Sequence, residues 1–272
     1  MVFIDEEKCI QCGACVKDCP AANLQMQEDG RIRFFQEKRC LNCGHCIAVC
    51  PRRAVSIPEF GNSQVIEYSP ETCNIEPNRF LGFLRMRRSV RHFKKQKVDP
   101  DILNALLEAG RYAPTSGNRQ HVSYLVVQDH LLDLRDSAWE TLENLAIHAF
   151  NGEPAVEAVK YYAATWHQGY LRYKKDSSDD ILFFDAPVLL VVRSDTFVDA
   201  SIAADHIQLM AQTMRLGCTM NGFLSLIMDY NQEIRELFCT KRYNKVVCMM
   251  LGYPSVKYYR TVPRNKVDAE WI

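Results

Sequence analysis

The stretch RCLNCGHCIAVCP, residues 39–51, decides the fold of the N-terminal part of the chain. Its pair Cys43 and Cys46, taken alone, is a C-x-x-C motif of the kind that exchanges disulfides. Residues 9–20, CIQCGACVKDCP, carry the same spacing of four cysteines 31 residues earlier, and each copy ends in Cys-Pro. Because the pattern is repeated, one interpretation must account for both copies.

Both copies follow C-x2-C-x2-C-x3-C-P, the spacing of bacterial two-cluster ferredoxins. A thiol-exchange site gives no reason for four cysteines in each copy. Zinc knuckles pair C-x2-C units across a longer loop, which leaves zinc as a weak alternative. C-type haem is excluded because Ile47 follows Cys46 where a histidine is required. Since the fourth cysteine of each run crosses to the other cluster, the spacing predicts two [4Fe–4S] clusters, one on Cys9, Cys12, Cys15 and Cys50 and one on Cys40, Cys43, Cys46 and Cys19.

Length, charge and cysteine distribution set the class of protein. The chain has 272 residues, which predicts about two domains. Basic and acidic residues are equal in number, so no net charge favours a nucleic acid or a membrane surface as partner. The N-terminus lacks the basic and apolar segments of a signal peptide, and the most apolar run, residues 186–192, is too short to cross a bilayer. We therefore expect a soluble, cytoplasmic protein.

The expected organisation is a ferredoxin domain over residues 1–58, a polar linker over residues 59–78, and a larger domain over residues 79–272. Cys73, in the linker, is interpreted as a free cysteine. Residues 79–98 contain eight Lys or Arg and no acid, which a solvated face or a nucleic-acid patch would also explain. Interleaved apolar residues favour an amphipathic helix that ends in a cationic turn. That turn suits a phosphate and comprises Arg87, Arg88, Ser89 and Arg91.

The larger domain reads as helices interleaved with a few strands. A helix capped by Asp99 or Asp101 precedes Pro114, and a second helix is predicted over residues 199–217 with Gly217 as its cap. Strands are predicted over residues 121–128, 186–193 and 245–254, with a short strand or loop at residues 218–223 and a helix over residues 231–238. This pattern predicts an α+β fold.

Four motifs of the larger domain carry a resemblance to a known family. RRSVRHF, APTSGNRQ, RLGCTMNGF and LGYP with VPRNKVD occur in the order and at the intervals seen in the FMN-dependent nitroreductases, over about residues 80–272. With its N-terminal quartets, the chain resembles a ferredoxin-fused nitroreductase-family flavoprotein. The resemblance implies a small two-cluster ferredoxin-like domain followed by a nitroreductase-like α+β domain that binds FMN in a domain-crossing homodimer.

The resemblance also assigns residues to the flavin. The phosphate and ribityl end would be held by Arg87, Arg88, Ser89 and Arg91, with Arg264 and Lys266 closing on the same phosphate. The isoalloxazine would be bordered, from the partner subunit, by Pro114, Thr115, Ser116 and Asn118. Asn221 and Gly222 would lie beside flavin N5 and O4, with a main-chain N–H on N5. No catalytic side chain is identified. Residues 118–122, NRQHV, depart from the family's N-x-Q-P-W, so the pocket near this loop is expected to differ.

Residues 139–173 are rich in aromatic side chains, most of which we expect in the core. In the family this region is a variable helical excursion over the flavin, so Tyr162, Trp166 or His167 are candidates to face a substrate. Cys218 is expected to be a buried small residue and not a nucleophile.

Three hypotheses follow for function. In the first, a ferredoxin-type or NAD(P)H donor supplies electrons that pass through the clusters and FMN to a small organic acceptor, such as a nitro compound or quinone. In the second, the chain is an electron-transfer module that relays electrons to a protein partner. In the third, NAD(P)H reduces the flavin while the clusters are structural or sense redox state. No G-x-G-x-x-G follows a strand, so no dedicated dinucleotide domain is expected.

Overall fold

The computed structural model describes residues 2–60 and 64–272, and of Ala155 only the backbone. Residues 61–63, in the predicted linker, lie outside the described residues. The chain divides into two compact units. Unit 1 consists of Met1–Ile75 together with Ser116–Arg119, and unit 2 consists of Glu76–Thr115 and Gln120–Ile272. The predicted linker, residues 59–78, is therefore shared between the two units.

Unit 1 is built from short elements around two helical turns. Strand β1 (Phe3–Ile4) pairs antiparallel with β4 (Val55–Ser56), and β2 (Leu24–Met26) pairs antiparallel with β3 (Ile32–Phe34). Helices α1 (Ala14–Lys17) and α2 (His45–Ala48) each begin directly after the glycine that follows the second cysteine of a quartet. In chain order the elements are β1 (Phe3–Ile4), α1 (Ala14–Lys17), β2 (Leu24–Met26), β3 (Ile32–Phe34), α2 (His45–Ala48), β4 (Val55–Ser56) and α3 (Pro70–Cys73).

The sequence repeat of unit 1 is also a repeat of backbone conformation. Gly13 and Gly44, which precede α1 and α2, have φ angles of 71° and 73°. Left-handed backbone recurs at the same offset in non-glycine residues, a conformation that is uncommon for L-residues. These pairs are Gln11 (55°) with Asn42 (48°) and Ala22 (48°) with Arg53 (51°). The two quartets therefore impose the same local fold twice.

Unit 2 contains a sheet between two layers of helices. Its elements are α4 (Pro77–Met86), α5 (Pro100–Arg111), β5 (Val122–Val127), α6 (Leu131–Phe150), α7 (Ala163–Lys175), β6 (Val188–Ser194), α8 (Phe197–Thr213), β7 (Gly217–Met220), α9 (Gly222–Ile227), α10 (Gln232–Phe238) and β8 (Lys245–Gly252). A 3-10 helix over Pro154–Tyr162 leads into α7.

The four strands lie in the order β5-β6-β8-β7, and every pairing is antiparallel. Alternate residues of β6 face opposite cores, as the two-residue period of a strand requires. Val188, Leu190 and Val192 pack with residues of α5 and α8. Leu189 and Val191 pack with residues of α6 and α7. A central strand covered on both faces explains the unbroken apolar run at residues 186–192, and the predicted α+β class is confirmed.

Most predicted elements of unit 2 occur, with one error in the role of Gly217. Asp99 caps α5, since its carboxylate accepts the Asp101 N–H at 2.8 Å. Helix α8 ends at Thr213, before Gly217, and Arg215 is the residue with left-handed backbone there, at φ 62°. Gly217 is the first residue of β7, where an added Cβ would lie 2.6 Å from the side chain of Val90. Close packing, not capping, requires the glycine.

No helix within residues 2–60 and 64–272 is long and apolar enough to cross a bilayer.

Candidate functional site

The eight cysteines of the two quartets line two separate cavities. One cavity is lined by Cys19, Cys40, Cys43 and Cys46. The other is lined by Cys9, Cys12, Cys15 and Cys50. These are the two sets that the crossed spacing rule predicts. In each cavity three cysteines come from one quartet and the fourth comes from the other, so the donor chemistry fits a thiolate-bound cubane in each.

The remaining walls of both cavities are largely apolar. Leu24, Val55 and Ile57 pack with the buried Cys15 and Cys46 in one hydrophobic core. Burial raises the pKa of Cys46 to about 11, with the neighbouring Cys43 thiol as the second cause. No three metal-ligating side chains in the described part of the chain lie close enough to share a single ion. Thiolates around a cubane bind different irons and therefore stand farther apart than ligands of one zinc ion.

One polar contact ties the quartets together, and two others are local to the last cysteine of each quartet. His45 Nδ1 lies 3.3 Å from Asp18 Oδ2, joining the residue before Cys19 to the first residue of α2. Two backbone N–H groups point to cysteine sulfurs: those of Asn23 and Ala54 lie 3.3 Å from the Sγ atoms of Cys19 and Cys50. The two N–H···S contacts involve the cysteines predicted to cross between clusters.

Unit 1 also includes Ser116–Arg119, part of the segment assigned to the flavin by resemblance. Within unit 1, the side-chain amide of Asn118 donates to the carbonyl oxygens of Leu41 and Asn42, at 3.1 and 3.0 Å. Those two residues lie between Cys40 and Cys43. Of the neighbouring predicted flavin residues in unit 2, Pro114 is exposed and Thr115 accepts the Gln120 N–H on its hydroxyl at 2.9 Å.

In unit 2 the motif predicted to bind the phosphate lies alongside β7. Ser89 forms a parallel bridge with Cys218, and the Val90 N–H donates to the Cys218 carbonyl at 3.0 Å. This pairing fixes Arg87 to Arg91 against the strand that leads into Asn221 and Gly222. Cys218 is buried, and burial raises the pKa of its thiol to about 12, so it is a poor nucleophile at neutral pH.

The three arginines of the cationic turn have different partners. Arg87 donates to Gln208 Oε1 of α8 at 3.3 Å. Arg88 donates to the Arg85 carbonyl at 3.1 Å and to the Arg260 carbonyl at 3.5 Å. The guanidinium of Arg91 lies over the Phe184 ring, 5.9 Å from its centroid. The structure thus places the start of the C-terminal tail beside Arg88.

The last predicted phosphate ligands lie further along that tail. Arg264 and Lys266 are exposed, in a segment without regular secondary structure. Neither side chain has a hydrogen bond or ion pair to another described residue. Their role at the phosphate therefore stays a prediction.

Asn221 is held from three sides. Its N–H donates to the Cys248 carbonyl at 2.7 Å, and its side-chain oxygen accepts the Leu224 N–H at 3.1 Å, which caps α9. Its side-chain amide donates to the Leu182 carbonyl at 2.6 Å. Both ends of the Asn221 side chain and its N–H are therefore bound within the protein. The contact of the Gly222 main chain with a flavin edge stays a prediction.

The loop that holds Asn221 is itself fixed by a buried ion pair. Asp180 Oδ1 accepts from Trp139 Nε1 and from the N–H groups of Leu182 and Phe183 at 2.9 to 3.1 Å. Asp180 Oδ2 faces Arg135 Nε at 3.1 Å as an ion pair without hydrogen-bond alignment. Arg135 also reaches Asp185 Oδ1 at 3.1 Å.

An open pocket of about 530 Å³ adjoins the end of β7. Met220, Asn221 and Gly222 form one part of its wall, and Lys245 and Arg235 supply positive charge to another. Arg235 pairs loosely with Asp229, at 3.4 Å. The pocket combines apolar surface with a few charged groups, which is the usual character of a small-molecule site.

The three aromatic-region candidates differ in accessibility. Trp166 is fully buried, so it does not face a substrate in this structure. His167 binds Glu143 through Nδ1 at 2.8 Å. Tyr162 is exposed, and its ring lies 5.2 Å from the ring of Phe223, the residue after Gly222. Tyr162 is therefore the candidate best placed to meet a substrate.

Sequence reasoning missed three residues that position the site. Gln208 holds Arg87, Leu182 holds Asn221, and Asp180 orders the loop that carries Leu182. Gln208 lies within an apolar helix pattern and Asp180 within an acidic loop, and neither belongs to a motif. The one sequence feature that could have indicated Asp180 is the pair of adjacent acids, Asp179 and Asp180, immediately before an apolar run.

Two family models match the chain. A nitroreductase family model covers residues 84–253, and a 4Fe-4S dicluster domain model covers residues 1–74. A comparison with curated proteins finds no match.

Several solved structures are similar to this chain. A BluB-like flavoprotein from Clostridium difficile 630 matches with a TM-score of 0.51 and 16% identity, over 71% of this chain and 96% of that one. An oxidized iodotyrosine deiodinase bound to FMN and 3-iodo-L-tyrosine matches with a TM-score of 0.50 and 21% identity, over 70% and 97%. A nitroreductase with bound FMN from Bacteroides fragilis NCTC 9343 matches with a TM-score of 0.49 and 21% identity, over 70% and 97%. The chain belongs to the nitroreductase family and carries a 4Fe-4S dicluster domain at its N-terminus.

Proposed function

We propose that this protein is an FMN-dependent reductase in which electrons from an external donor reach a small organic acceptor by way of two [4Fe–4S] clusters. The donor is a ferredoxin-type protein or NAD(P)H, and a nitro compound or a quinone represents the acceptor class. The observation that carries the proposal is the grouping of eight cysteines, four around each of two cavities, in a chain of the nitroreductase family.

The clusters and the flavin suit each other as electron carriers. Each cluster carries one electron, whereas FMN takes up electrons singly and can deliver a pair as hydride. A chain with both groups can therefore convert single-electron input into two-electron reduction. The protein's own contribution is to hold these groups and to admit the acceptor.

The residues of unit 2 have separate tasks in this proposal. Arg87, Arg88, Ser89 and Arg91 bind the phosphate end of FMN through guanidinium and hydroxyl groups. Gln208 orients Arg87, and Phe184 supports Arg91. The main-chain N–H of Gly222 donates to the flavin edge, on a backbone that the side chain of Asn221 keeps in place.

The open pocket beside Gly222 favours an enzyme over an electron relay. A relay to a protein partner needs no cavity for a small molecule, whereas a reductase must admit its acceptor to the flavin. The pocket of about 530 Å³ is large enough for a small organic molecule. The ring of Tyr162 packs against Phe223, the residue after Gly222. A homodimer, in which Pro114 and Thr115 border the partner's flavin, and a cytoplasmic location belong to the same proposal.

The experiment is an anaerobic stopped-flow comparison of donors. Protein reconstituted with iron, sulfide and FMN is mixed with reduced ferredoxin or with NAD(P)H, and cluster and flavin absorbance are followed separately. We expect the clusters to be reduced before the flavin with ferredoxin, and reoxidation of both when an acceptor is added. Flavin reduction by NAD(P)H that is unaffected in Cys12→Ala would instead support structural clusters. Absence of cluster-to-flavin transfer would overturn the proposal.

A further inference from the structure

The two cluster cavities differ in how far their ligands are open to solvent. The first cavity is lined by Cys9, Cys12, Cys15 and Cys50, and the second by Cys40, Cys43, Cys46 and Cys19. Of these eight cysteines, all in the described part of the chain, Cys12 alone is exposed, whereas its repeat counterpart Cys43 is half-buried. The first cavity is therefore the one with a ligand at the protein surface.

The residue before each exposed-side ligand shows the same difference. Ile10 lies between Cys9 and Cys12, lines the first cavity and is 58% exposed. Its counterpart 31 residues later, Leu41, lines the second cavity and is 40% exposed. The apolar surface beside the first cavity is therefore larger at this position.

A third pair of repeat positions differs most. Met26 is 42% exposed, whereas its counterpart Ile57, which lines the second cavity, is 1% exposed. The Met26 methyl lies 3.3 Å from the position that a Cβ would take at Gly13, which lines the first cavity. Ile10, Cys12 and Met26 thus border the same cavity and are all exposed. We call these three residues the Cys12 face.

The second cavity is connected to the segment predicted to border a flavin. Asn118, four residues after Pro114, donates through its side-chain amide to the carbonyl oxygens of Leu41 and Asn42, at 3.1 and 3.0 Å. These two residues directly follow Cys40, a predicted ligand of the second cluster. Family resemblance assigns Pro114 and Asn118 to the border of the isoalloxazine. The second cluster is therefore the better placed of the two to pass electrons to the flavin that this segment borders.

The Cys12 face has the character of a transient interface. Its exposed side chains are apolar, and Lys8, beside Cys9, is paired with Asp5 at 2.6 Å. Arg52 lines the cavity and is exposed, so it offers one positive charge to a carboxylate of a partner. Electron-transfer complexes bury small interfaces. A partner on this face would bring its own redox centre close to an exposed ligand, which matters because electron transfer slows steeply with distance.

We infer that electrons enter at the first cluster and leave from the second, and that the Cys12 face is the docking surface of a one-electron donor protein. The inference rests on the proposed function and narrows its donor. A [4Fe–4S] cluster gains one electron at a time, whereas NAD(P)H delivers two as hydride, so the partner of this face is a ferredoxin-type protein. In each passage the donor's metal centre is oxidised by one electron and the first cluster is reduced by one, which then moves to the second. Two such passages, with protons from solvent, reduce FMN.

The first test separates donor binding from electron entry. Full-length protein is reconstituted with iron, sulfide and FMN, and the probe is a bacterial two-cluster ferredoxin. Ile10→Glu places a charge within the Cys12 face, where burying it under a partner costs free energy. Leu41→Glu, the same change at the counterpart position, is the matched control for ferredoxin binding. Iron and FMN analysis verifies that each variant is loaded.

We expect Ile10→Glu to raise the Kd for ferredoxin about tenfold in surface plasmon resonance. Anaerobic stopped-flow should show a similar slowing of cluster reduction by ferredoxin, but not by dithionite. Leu41→Glu should bind ferredoxin as the wild type does. Equal binding in all three proteins, equal weakening in both variants, or weakening in Leu41→Glu alone would each overturn the inference.

The second test establishes the order of the clusters. In Cys43→Ala, which keeps the first ligand set, ferredoxin should still reduce the remaining cluster while FMN stays oxidised. In Cys12→Ala, ferredoxin should reduce neither the remaining cluster nor FMN at the wild-type rate. Flavin reduction by ferredoxin in Cys43→Ala would overturn the inference and leave the proposed function standing. Absence of cluster-to-flavin transfer in the wild-type protein would overturn the proposed function itself.

Discussion

The side-chain amide of Asn221 and the carbonyl oxygen of Leu182 are 2.6 Å apart, although 39 residues separate them in the chain. The bond joins the loop after α7 to the first turn of α9. Its oxygen end caps α9 at the same time. One buried side chain thus sets the backbone on which Gly222 would meet a flavin.

Replacing Asn221 with Ala should lower both stability and flavin retention. The change leaves the Leu182 carbonyl and the Leu224 N–H without partners, and we expect a loss of about 2 kcal/mol in the free energy of unfolding. Asn221→Asp retains the helix cap and loses only the donation to Leu182, so its loss should be smaller. Thermal unfolding and FMN absorbance after gel filtration measure the two effects. Equal losses in the two variants would assign the whole effect to the bond to Leu182, whereas an Asn221→Asp variant as stable as the wild type would show that this bond is unimportant.

Substitution of Asp180 should destabilise the protein more than substitution of its neighbour Asp179. Asp180→Ala leaves the buried Arg135 with Asp185 as its remaining charge partner and leaves three donors without an acceptor, which we expect to cost about 3–5 kcal/mol. Asp179→Ala is the matched control, since the Asp179 side chain is exposed and its one ion pair, with Arg172, is long at 3.7 Å. Asp180→Asn should lie between them because it keeps a hydrogen-bonding oxygen. Denaturation midpoints under anaerobic conditions give the ranking, and a mild Asp180→Ala would contradict this account.

Ligand crossing predicts which cysteine variants behave alike. Cys12→Ala and Cys50→Ala should both lose the first cluster, and Cys43→Ala and Cys19→Ala should both lose the second. Each variant should keep about half of the iron of the wild-type protein. Iron analysis and electron paramagnetic resonance of the reduced protein distinguish the pairs. If Cys50→Ala instead gave the spectrum of Cys43→Ala, the ligand sets would be uncrossed.

Tyr162 should affect which acceptors are reduced, and not the rate at which the donor reduces the flavin. Removing its exposed ring in Tyr162→Ala should change the KM for bulky acceptors severalfold, because the ring borders the turn at Phe223. The rate of flavin reduction by the donor should stay the same. Tyr161→Ala is the control, since Tyr161 is the more exposed of the two. A change in the reduction half-reaction alone would contradict the assignment.

Cys73 should be the most readily alkylated thiol of the intact protein. Hydrogen bonds from the Ser69 backbone and the Thr72 hydroxyl lower its pKa from 9.0. A lower pKa means more thiolate at neutral pH. The pH at which alkylation by iodoacetamide reaches half of its maximal rate should therefore lie below 9.0. Cys239 is the internal control, because burial raises its pKa. Peptide mass spectrometry follows both sites.

Thr72→Val tests the cause of that reactivity. Without the hydroxyl, the pH of half-maximal alkylation at Cys73 should rise toward 9.0. An unchanged profile would assign the whole effect to the Ser69 backbone.

The features that the sequence predicted best depend on local spacing. The cysteine repeat predicted both cavity linings, and apolar periodicity predicted α5, α8 and the three longer strands. The features that the sequence did not predict depend on partners that are far away along the chain. Gly217 was assigned to a helix cap, but it is required by contact with Val90, more than 120 residues away. No local pattern indicates that the amide of Asn118 binds the Leu41 and Asn42 carbonyls.

The matched left-handed residues of unit 1 bear on how such a domain arose. Two halves with the same spacing and the same unusual backbone at Gln11 and Asn42 are the product expected from tandem duplication of one ancestral segment. Because each half lends its last cysteine to the other's cavity, a single ancestral copy could have completed both shells only by pairing with an identical chain. In the present polypeptide the covalent link between the two halves supplies each cavity with its fourth cysteine without a second chain.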